Sequence, residues 1–372
     1  MGGERLSCAC SIKRHAVCLV CVFHLEFSVV FADKLQNCPV RISCLPSGNG
    51  RLCYGGEKSP VFYVAVAAAS LHTDFKETVK LFFKVQISFF CLYLCLGLLK
   101  ISGGDFFVDN ERIRYYLGYG WVNRAAYCLM FSCLELLYLK NGRLSLPQFI
   151  LVEALNGFLY IKTKTVFPMV LTFFLGLAGA VAYLKEKSVL KEERYIRERR
   201  YLSQLLFCLF VLVSFVLPLL YRSDNSVLRV LNSVLNSRLS LAKKAMSLYG
   251  LGLLGNDVQW TGSSTLLFGL SDSKEYFYVD CDYIKTAIQY GIVFCGFVVL
   301  TYLLGIRNSY KQNDRVVCLC ILFIGALCMF EPELIDFSFN PFFLYAYATS
   351  PVSPSRTLPA ELRNGQIPKE RA

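Results

Sequence analysis

A few polar segments of this otherwise apolar chain hold the side chains that could carry chemistry. Arg114 and Arg238 offer planar guanidinium groups, which match the oxygen pairs of phosphates and carboxylates. Asp280, Asp282 and Glu331 offer carboxylates, which could serve as general bases. All three histidines lie within the first 72 residues. Chemistry in the rest of the chain would therefore use carboxylates and cations, without a histidine base or metal ligand.

Composition indicates that membrane-embedded helices must position these groups. The chain has 372 residues, of which 55% are hydrophobic, and its mean hydropathy is +0.45. Charged residues make up 18%, against about 25% in soluble domains. The net charge of +12 comes mainly from basic residues that flank apolar segments, so no nucleic-acid partner is expected. Nine of the 17 cysteines fall in apolar segments, where a thiol behaves as a small apolar side chain.

The apolar segments predict an all-α polytopic integral membrane protein, a bundle of about 8–10 transmembrane helices. The link 185–200 holds seven basic residues and is predicted to be cytoplasmic. Alternation of sides then places four segments outside: 103–124, 161–165, 222–283 and 331–340. The predicted spans are 60–72, 85–102, 125–139, 149–161, 165–184, 202–221, 284–306 and 316–330, with a weaker one at 341–349.

The same pattern divides the chain into five regions. Residues 1–58 are atypical and contain seven of the 17 cysteines, so whether they belong to the native protein stays open and no function is assigned to them. Transmembrane helices with short loops follow over 59–221, and a large extracytoplasmic loop over 222–283. Carboxy-terminal transmembrane helices occupy 284–349, and 350–372 form a polar tail.

Within the large loop, apolar residues at helical spacing predict one amphipathic helix over 227–248. Its polar face would present cations and an amide to water, lipid headgroups or a ligand. The apolar positions are Leu228, Leu231, Leu235, Leu239, Ala242 and Met246, and the polar ones are Asn232, Arg238, Lys243 and Lys244.

Short motifs in a consistent order resemble those of the polysaccharide repeat-unit polymerases, the Wzy-type members of the O-antigen polymerase and ligase superfamily, in their Gram-positive form. The resemblance covers about 59–349. It rests on Arg114 with Leu117-Gly118-Tyr119 and Asn123; on Leu231-Asn232, Leu235, Arg238-Leu239, Tyr249-Gly250 and Leu254-Gly255; and on Asp282-Tyr283, Tyr290-Gly291, Glu331 and Asn340-Pro341.

The resemblance implies a GT-C-like glycosyltransferase of the bacterial plasma membrane. Its substrates would be undecaprenyl-diphosphate-linked oligosaccharide repeat units, joined at the outer face into a capsular, exopolysaccharide or O-antigen-like glycan. A flippase and a chain-length regulator of the same pathway would be partners. No cofactor is expected; Asp280-x-Asp282 has the spacing of a metal motif but lies at the entry to a span, which makes a metal site less expected.

Roles follow for eleven residues. Arg114 and Arg238 would hold the diphosphate with help from two lysines, a carboxylate would take the acceptor proton, and aromatic rings would contact sugars. The catalytic candidates are Arg114, Arg238, Glu331 and Asp280, and the substrate-binding candidates are Asn123, Lys164, Asn232, Lys244, Tyr249, Asp282 and Tyr283.

Four alternatives stay open. A flippase or transporter of lipid-linked glycans would show paired inverted repeats, which the sequence lacks. A ligase of the same superfamily would differ only in its acceptor. Val122 replaces the family's proline and Val166 its arginine, which would suit an inactive copy. A non-catalytic membrane scaffold is the fourth.

Overall fold

The structure is a computed structural model that describes residues 60–71, 73–101, 106–109, 112–185, 193–262 and 276–348. All of segment 1–58 and all of tail 350–372 lie outside these described residues, together with part of the large loop. The described chain is mostly helical, as predicted, with one small β-hairpin as an unpredicted addition.

The elements follow one another in chain order as helices α1 to α11, with the hairpin after α2 and a final 3-10 helix. They are α1 Pro60–Ala69, α2 Phe75–Leu98, β1 Phe106–Asp109, β2 Arg112–Tyr115, α3 Arg124–Leu139, α4 Leu146–Thr163, α5 Val166–Leu184, α6 Glu193–Leu220, α7 Ser226–Val234, α8 Arg238–Tyr249, α9 Asp282–Gln289, α10 Ile292–Lys311, α11 Arg315–Cys328 and the 3-10 helix Phe342–Ala346.

Four helices in the described part are long and apolar enough to cross a membrane: α2, α5, the stretch Arg199–Leu220 of α6, and α10. Their outward faces are apolar as well: on α6, for example, Leu205, Leu209 and Leu212 are all exposed. Such faces suit lipid rather than water. The predicted spans 60–72 and 316–330 become the shorter apolar helices α1 and α11. The sequence prediction of 8–10 spans is therefore larger than the four that meet these criteria.

Helix α3 is the central element of the bundle. Thirteen of its 16 residues are buried, and it packs against α2, α4, α5 and α11. A helix that is apolar on every side is one that neighbouring helices enclose. Because Asn123 stands immediately before α3, the central helix carries the first predicted site residue to one end of the bundle.

The predicted span 284–306 is not one helix, and this is a correction. Helix α9 ends at Gln289, and α10 begins at Ile292 after a sharp turn at Gly291. Gly291 has a φ of 96°, and a Cβ there would collide with the carbonyl oxygen of Leu253. A glycine is needed at this turn because the loop backbone packs directly on it.

The predicted amphipathic helix 227–248 is also two helices, α7 and α8. Asn236 and Ser237 between them have positive φ values of 49° and 63°, which no continuous helix contains. Asn232 stabilises this corner: its amide oxygen accepts from the backbone N–H of Ser240 at 3.0 Å. Asn232 is buried, with 8% of its surface exposed, so the expectation that it faces water, headgroups or a ligand is wrong.

Irregular backbone enters the bundle at 329–341, between α11 and the 3-10 helix. The hydroxyl of Tyr302, midway along α10, donates to the carbonyl oxygen of Leu334 at 2.7 Å. The backbone N–H of Leu334 donates to the carboxylate of Asp282 at 2.5 Å. Asn340, which is fully buried, donates to the Tyr302 hydroxyl at 2.8 Å. Buried side chains thus satisfy backbone groups that lipid could not satisfy.

Candidate functional site

The hairpin and the turn after it position Arg114. Arg114 lies on β2, whose residues pair with β1 in antiparallel register. The chain then turns at Gly118, with a φ of 84°, and packs so closely on α2 that a Cβ there would collide with the carbonyl oxygen of Tyr93. Only glycine fits this approach. The turn therefore fixes the distance between Arg114 and the start of α3.

Arg114 reaches across to the end of α4. Its Nε donates to the carbonyl oxygen of Thr163 at 2.7 Å, and its Nη2 donates to Oδ1 of Asn123 at 2.5 Å. Thr165 donates to the same Asn123 oxygen at 3.0 Å. Two segments that the sequence places outside the membrane, 103–124 and 161–165, therefore meet at one guanidinium group.

Asn123 and Tyr127 continue this set of contacts to a carboxylate. The amide nitrogen of Asn123 donates to the Tyr127 hydroxyl at 3.1 Å, and that hydroxyl donates to Oε2 of Glu331. The side chain of Glu331 is only 4% exposed. Asn123 and Tyr127 lie four residues apart, so they share one face at the start of α3.

Arg238 joins two carboxylates. Its Nε lies 3.0 Å from Oδ2 of Asp280, and its Nη2 lies 3.0 Å from Oε1 of Glu331. The ring of Phe167 covers the guanidinium group, with 5.6 Å between the ring centroid and Cζ. The remaining nitrogen, Nη1, is buried and has no hydrogen-bond partner among the described residues. A buried donor of this kind is costly unless a ligand satisfies it.

These contacts form one continuous set, which we call the arginine network. It runs between the two predicted arginines through side-chain hydrogen bonds alone. Its members are Thr165, Arg114, Asn123, Tyr127, Glu331, Arg238 and Asp280.

The charges of the arginine network shift the ionisation of its members. Burial raises the pKa of the Asp280 carboxyl, Arg238 lowers it and Glu331 raises it; together these effects move it from 3.8 to about 6. Burial lowers the pKa of Arg238, but Glu331 and Asp280 outweigh that effect and leave it raised, so Arg238 stays charged. A carboxyl with a pKa of about 6 can both accept and release a proton near neutral pH.

A second group of acids lies beside the arginine network, on the irregular segment after α11. Asp336 forms an ion pair with Arg124 at 3.4 Å, and both Glu333 and Asp336 are buried. Asp282 is buried too, and it accepts from Thr286 and from the backbone of Leu334. These contacts hold the segment that carries Glu331.

The structure brings five predicted site residues together and sets others apart. The four catalytic candidates and Asn123 belong to the arginine network. Lys164 is exposed, with its ammonium group 5.8 Å from the ring of Tyr160. Lys244 is exposed over the ring of Phe277 at 5.6 Å, and Tyr249 packs partly buried against the same ring.

Two substrate-binding candidates, Tyr283 and Asp282, take buried packing positions, which is one of the two roles that the sequence left open for them. Tyr283 has no exposed surface, and its hydroxyl donates to the carbonyl oxygen of Gly325 at 3.0 Å. It belongs to the core and cannot contact a sugar in this arrangement. Asp282 is 3% exposed and already accepts two hydrogen bonds, so its first role is to hold Leu334 and Thr286.

Sequence reasoning missed the residues that connect the predicted ones. Tyr127, Thr165 and Phe167 all contact an arginine or its carboxylate. Tyr127 had a usable signal, because it lies one helical turn after Asn123. No short pattern indicated the contacts of Thr165 and Phe167, because they depend on how the turn from α4 to α5 packs against Arg114 and Arg238.

The arrangement can bind an anionic group. Two guanidinium groups lie at one end of the bundle, and that of Arg238 has a buried nitrogen, Nη1, without a hydrogen-bond partner among the described residues. Another nitrogen of the same group, Nε, donates to Asp280, a carboxyl that titrates near neutral pH. Comparison of the chain with protein-family models, with curated proteins and with solved structures found no match in any of the three.

Proposed function

We propose that this chain is a membrane-embedded glycosyltransferase that polymerises oligosaccharide repeat units carried on a polyprenyl diphosphate. The observation that carries the proposal is the arginine network. Two arginines separated by more than a hundred residues of sequence share one hydrogen-bonded path with two carboxylates, at one end of an apolar bundle. An oxygen of a lipid diphosphate would satisfy the buried guanidinium nitrogen that has no partner among the described residues.

The diphosphate of the donor would contact Arg238 and Arg114. The buried Nη1 of Arg238 would gain a phosphate oxygen as its partner, and Phe167 would keep water from the other side of the guanidinium group. Charge develops on the diphosphate as the glycosidic bond breaks. Fixed cations in a water-poor site stabilise that charge strongly, since they need no reorganisation at the moment of reaction.

Asp280 would take the proton of the acceptor hydroxyl. The hydroxyl oxygen forms the new bond to the anomeric carbon, the old bond to the diphosphate oxygen breaks with its electron pair, and the proton passes to the Asp280 carboxylate. The pKa of about 6 keeps that carboxylate mostly ionised at pH 7 and still able to accept a proton. Glu331 would hold Arg238 in place from the opposite side.

Deletion of the gene from its host and gel analysis of the surface glycan test the proposal. We expect the ladder of chain lengths to collapse to single repeat units and to return when the full chain is supplied again. An unchanged ladder would rule out a polymerase. Loss of the single repeat units as well would indicate the transport step instead.

A further inference from the structure

A small cavity lies beside the arginine network, and the proposed reaction does not yet use it. Its volume is about 130 Å³, close to the roughly 150 Å³ of a protein cavity that binds one benzene molecule. It can therefore take one six-membered ring, with the substituents of the ring on the open side of the cavity. The side chains that bear on its chemistry are Trp260, Asp282, Lys285, Thr286, Gln289 and Pro332.

One wall of the cavity is an aromatic ring in a fixed orientation. Trp260 stacks with Phe277, with 5.7 Å between ring centroids. Its Nε1–H donates to Oε1 of Gln289 at 2.9 Å. The polar edge of the indole is thus satisfied by protein. Phe277 covers one face of the indole ring, so only the opposite face can stack on a ligand, and its negative π-system attracts the partly positive C–H groups on the face of a pyranose.

The other walls carry donors and acceptors on α9. Thr286 donates to Oδ1 of Asp282 at 3.1 Å, which leaves that hydroxyl oxygen as an acceptor. The ammonium group of Lys285 donates to the hydroxyl of Tyr278 and lies 4.2 Å from the centre of its ring. Sugar hydroxyls both donate and accept, so they suit such mixed walls. One acid and one base face the cavity, and a ligand without net charge complements them best.

The position of the cavity connects it to the reacting groups. Asp282 lies two residues after Asp280, and Pro332 directly follows Glu331. Lys285 on its wall also interacts electrostatically with Asp280. A sugar ring in the cavity would therefore lie next to the carboxyl that accepts the proton.

We propose that this cavity binds a single neutral pyranose, the terminal sugar of the acceptor chain. The role of this sugar as the acceptor rests on the proposed function, whereas the binding of a sugar rests on the cavity alone. It names the class of acceptor: a glycan that ends in an uncharged hexose or deoxyhexose rather than in a uronic acid.

The two tryptophans of the chain allow a direct binding test without glycosyl transfer. In a Trp121→Phe variant, Trp260 is the remaining tryptophan. The purified full chain in lipid nanodiscs would be titrated with methyl glucoside, methyl galactoside and methyl rhamnoside, with methyl glucuronide and sorbitol as comparisons. We expect a saturable change in Trp260 fluorescence at millimolar concentrations for at least one neutral pyranoside, and none for the glucuronide or sorbitol.

Two variants separate the cavity from the surrounding loop. Gln289→Leu removes the acceptor that holds the indole and should weaken pyranoside binding about tenfold. Gln259→Leu makes the same change at an exposed neighbour of Trp260 and should leave binding unchanged. A response absent for all three neutral pyranosides, or equal in the Gln289→Leu variant, would overturn the sugar site.

Failure of the two proposals can be told apart. No pyranoside binding, together with a glycan ladder that depends on this chain, would remove the cavity and leave the polymerase. Saturable binding, together with a glycan ladder that is unchanged when this chain is deleted, would overturn both the acceptor assignment and the polymerase.

Discussion

Two of the buried polar regions in the described part of the bundle differ in the properties that matter for chemistry. The arginine network joins opposite charges, lies partly on irregular backbone, and leaves one buried guanidinium nitrogen without a partner among the described residues. The second region lies between α2 and α3, where Glu135 faces Gln86 and Ser132. All three of these side chains are buried in regular helices.

The second region is complete in itself. With the Gln86 amide in the orientation that satisfies both groups, its nitrogen donates to the two carboxyl oxygens of Glu135, at 2.8 and 3.2 Å. In the described part of the chain, the partner of Glu135 is an amide rather than a cation. The comparison teaches that a carboxyl inside a bundle can serve helix packing alone, whereas paired charges with an unsatisfied donor indicate a place for a ligand.

The sharpest way to break this comparison is to change the geometry of Arg238 while its charge is kept. Lysine cannot contact Asp280 and Glu331 through a planar fork. In Arg238→Lys we expect long-chain polymer to fall by about a hundredfold to a thousandfold, with unchanged membrane insertion. The measurement is the glycan ladder together with the amount of protein in the membrane fraction.

Arg229→Lys is the matched control for that variant, since Arg229 lies exposed on the neighbouring helix α7. It should retain the wild-type ladder. Wild-type chain lengths in Arg238→Lys would remove Arg238 from the mechanism and erase the distinction between the two regions.

Removal of the titrating group should have the next largest effect. The ionised form of Asp280 acts as the base, so the rate should rise with pH and reach half its maximum near pH 6. In Asp280→Asn we expect about a hundredfold lower rate and loss of this rise. The measurement is the initial rate of polymerisation in nanodiscs between pH 5 and pH 8.

The raised pKa of Asp280 also affects stability, and its contribution to stability falls with rising pH, whereas the rate rises. Because folding raises the pKa of Asp280 from 3.8 to about 6, the folded state binds the proton more tightly. The stability that this provides is fully present below pH 3.8 and is lost as the pH rises through about 6. Asp257→Asn, at an exposed position of the same loop, is the control and should change neither profile.

A neutral replacement of Glu331 should have an intermediate effect. Glu331→Gln keeps the shape but removes the charge that Arg238 contacts, and it leaves a buried cation with one carboxylate. We expect about a tenfold loss of rate and a loss of stability of about 1–3 kcal/mol. Thermal unfolding and the rate assay are both required. Glu77→Gln, which changes an exposed acid paired with Lys80, is the control and should change neither the rate nor the stability.

The smallest effect should come from the second region. Glu135→Gln can keep a hydrogen bond to Gln86, so we expect a change in unfolding free energy below about 1 kcal/mol and a wild-type ladder. Loss of polymer in this variant, with normal thermal stability, would show that both buried regions take part in the reaction.

The sequence predicted the helical class and the identity of the site residues more accurately than their connections. Hydropathy and basic flanks were sufficient to predict that segments holding Arg114, Arg238, Asp280 and Glu331 lie on one side, and the structure brings these four to one end of the bundle. The membrane side itself remains a prediction. Apolar periodicity does not report backbone breaks, which is why the turns at Ser237 and Gly291 were missed.

Burial was the other quantity that local pattern could not supply. Tyr283 and Asn232 look like surface aromatics and amides in the sequence, yet packing against α11 and against α8 encloses them. Tyr127 showed the reverse: it looked like one more aromatic residue in an apolar span, and it connects Asn123 with Glu331. Such contacts depend on segments far apart in the chain, which no short window contains.

The turn at Gly291, where a Cβ would collide with the backbone of Leu253, has one further consequence. Leu253 and Gly255 lie against the junction of α9 and α10, and the backbone N–H of Asn256 donates to the carbonyl oxygen of Ile288 at 2.9 Å. The described part of the loop that carries Trp260 is thereby held against α9 and α10 by backbone packing and a backbone hydrogen bond. A change of substrate preference in related chains should therefore arise from single side chains facing that loop, and wholesale exchange of the loop should abolish folding of the helix pair.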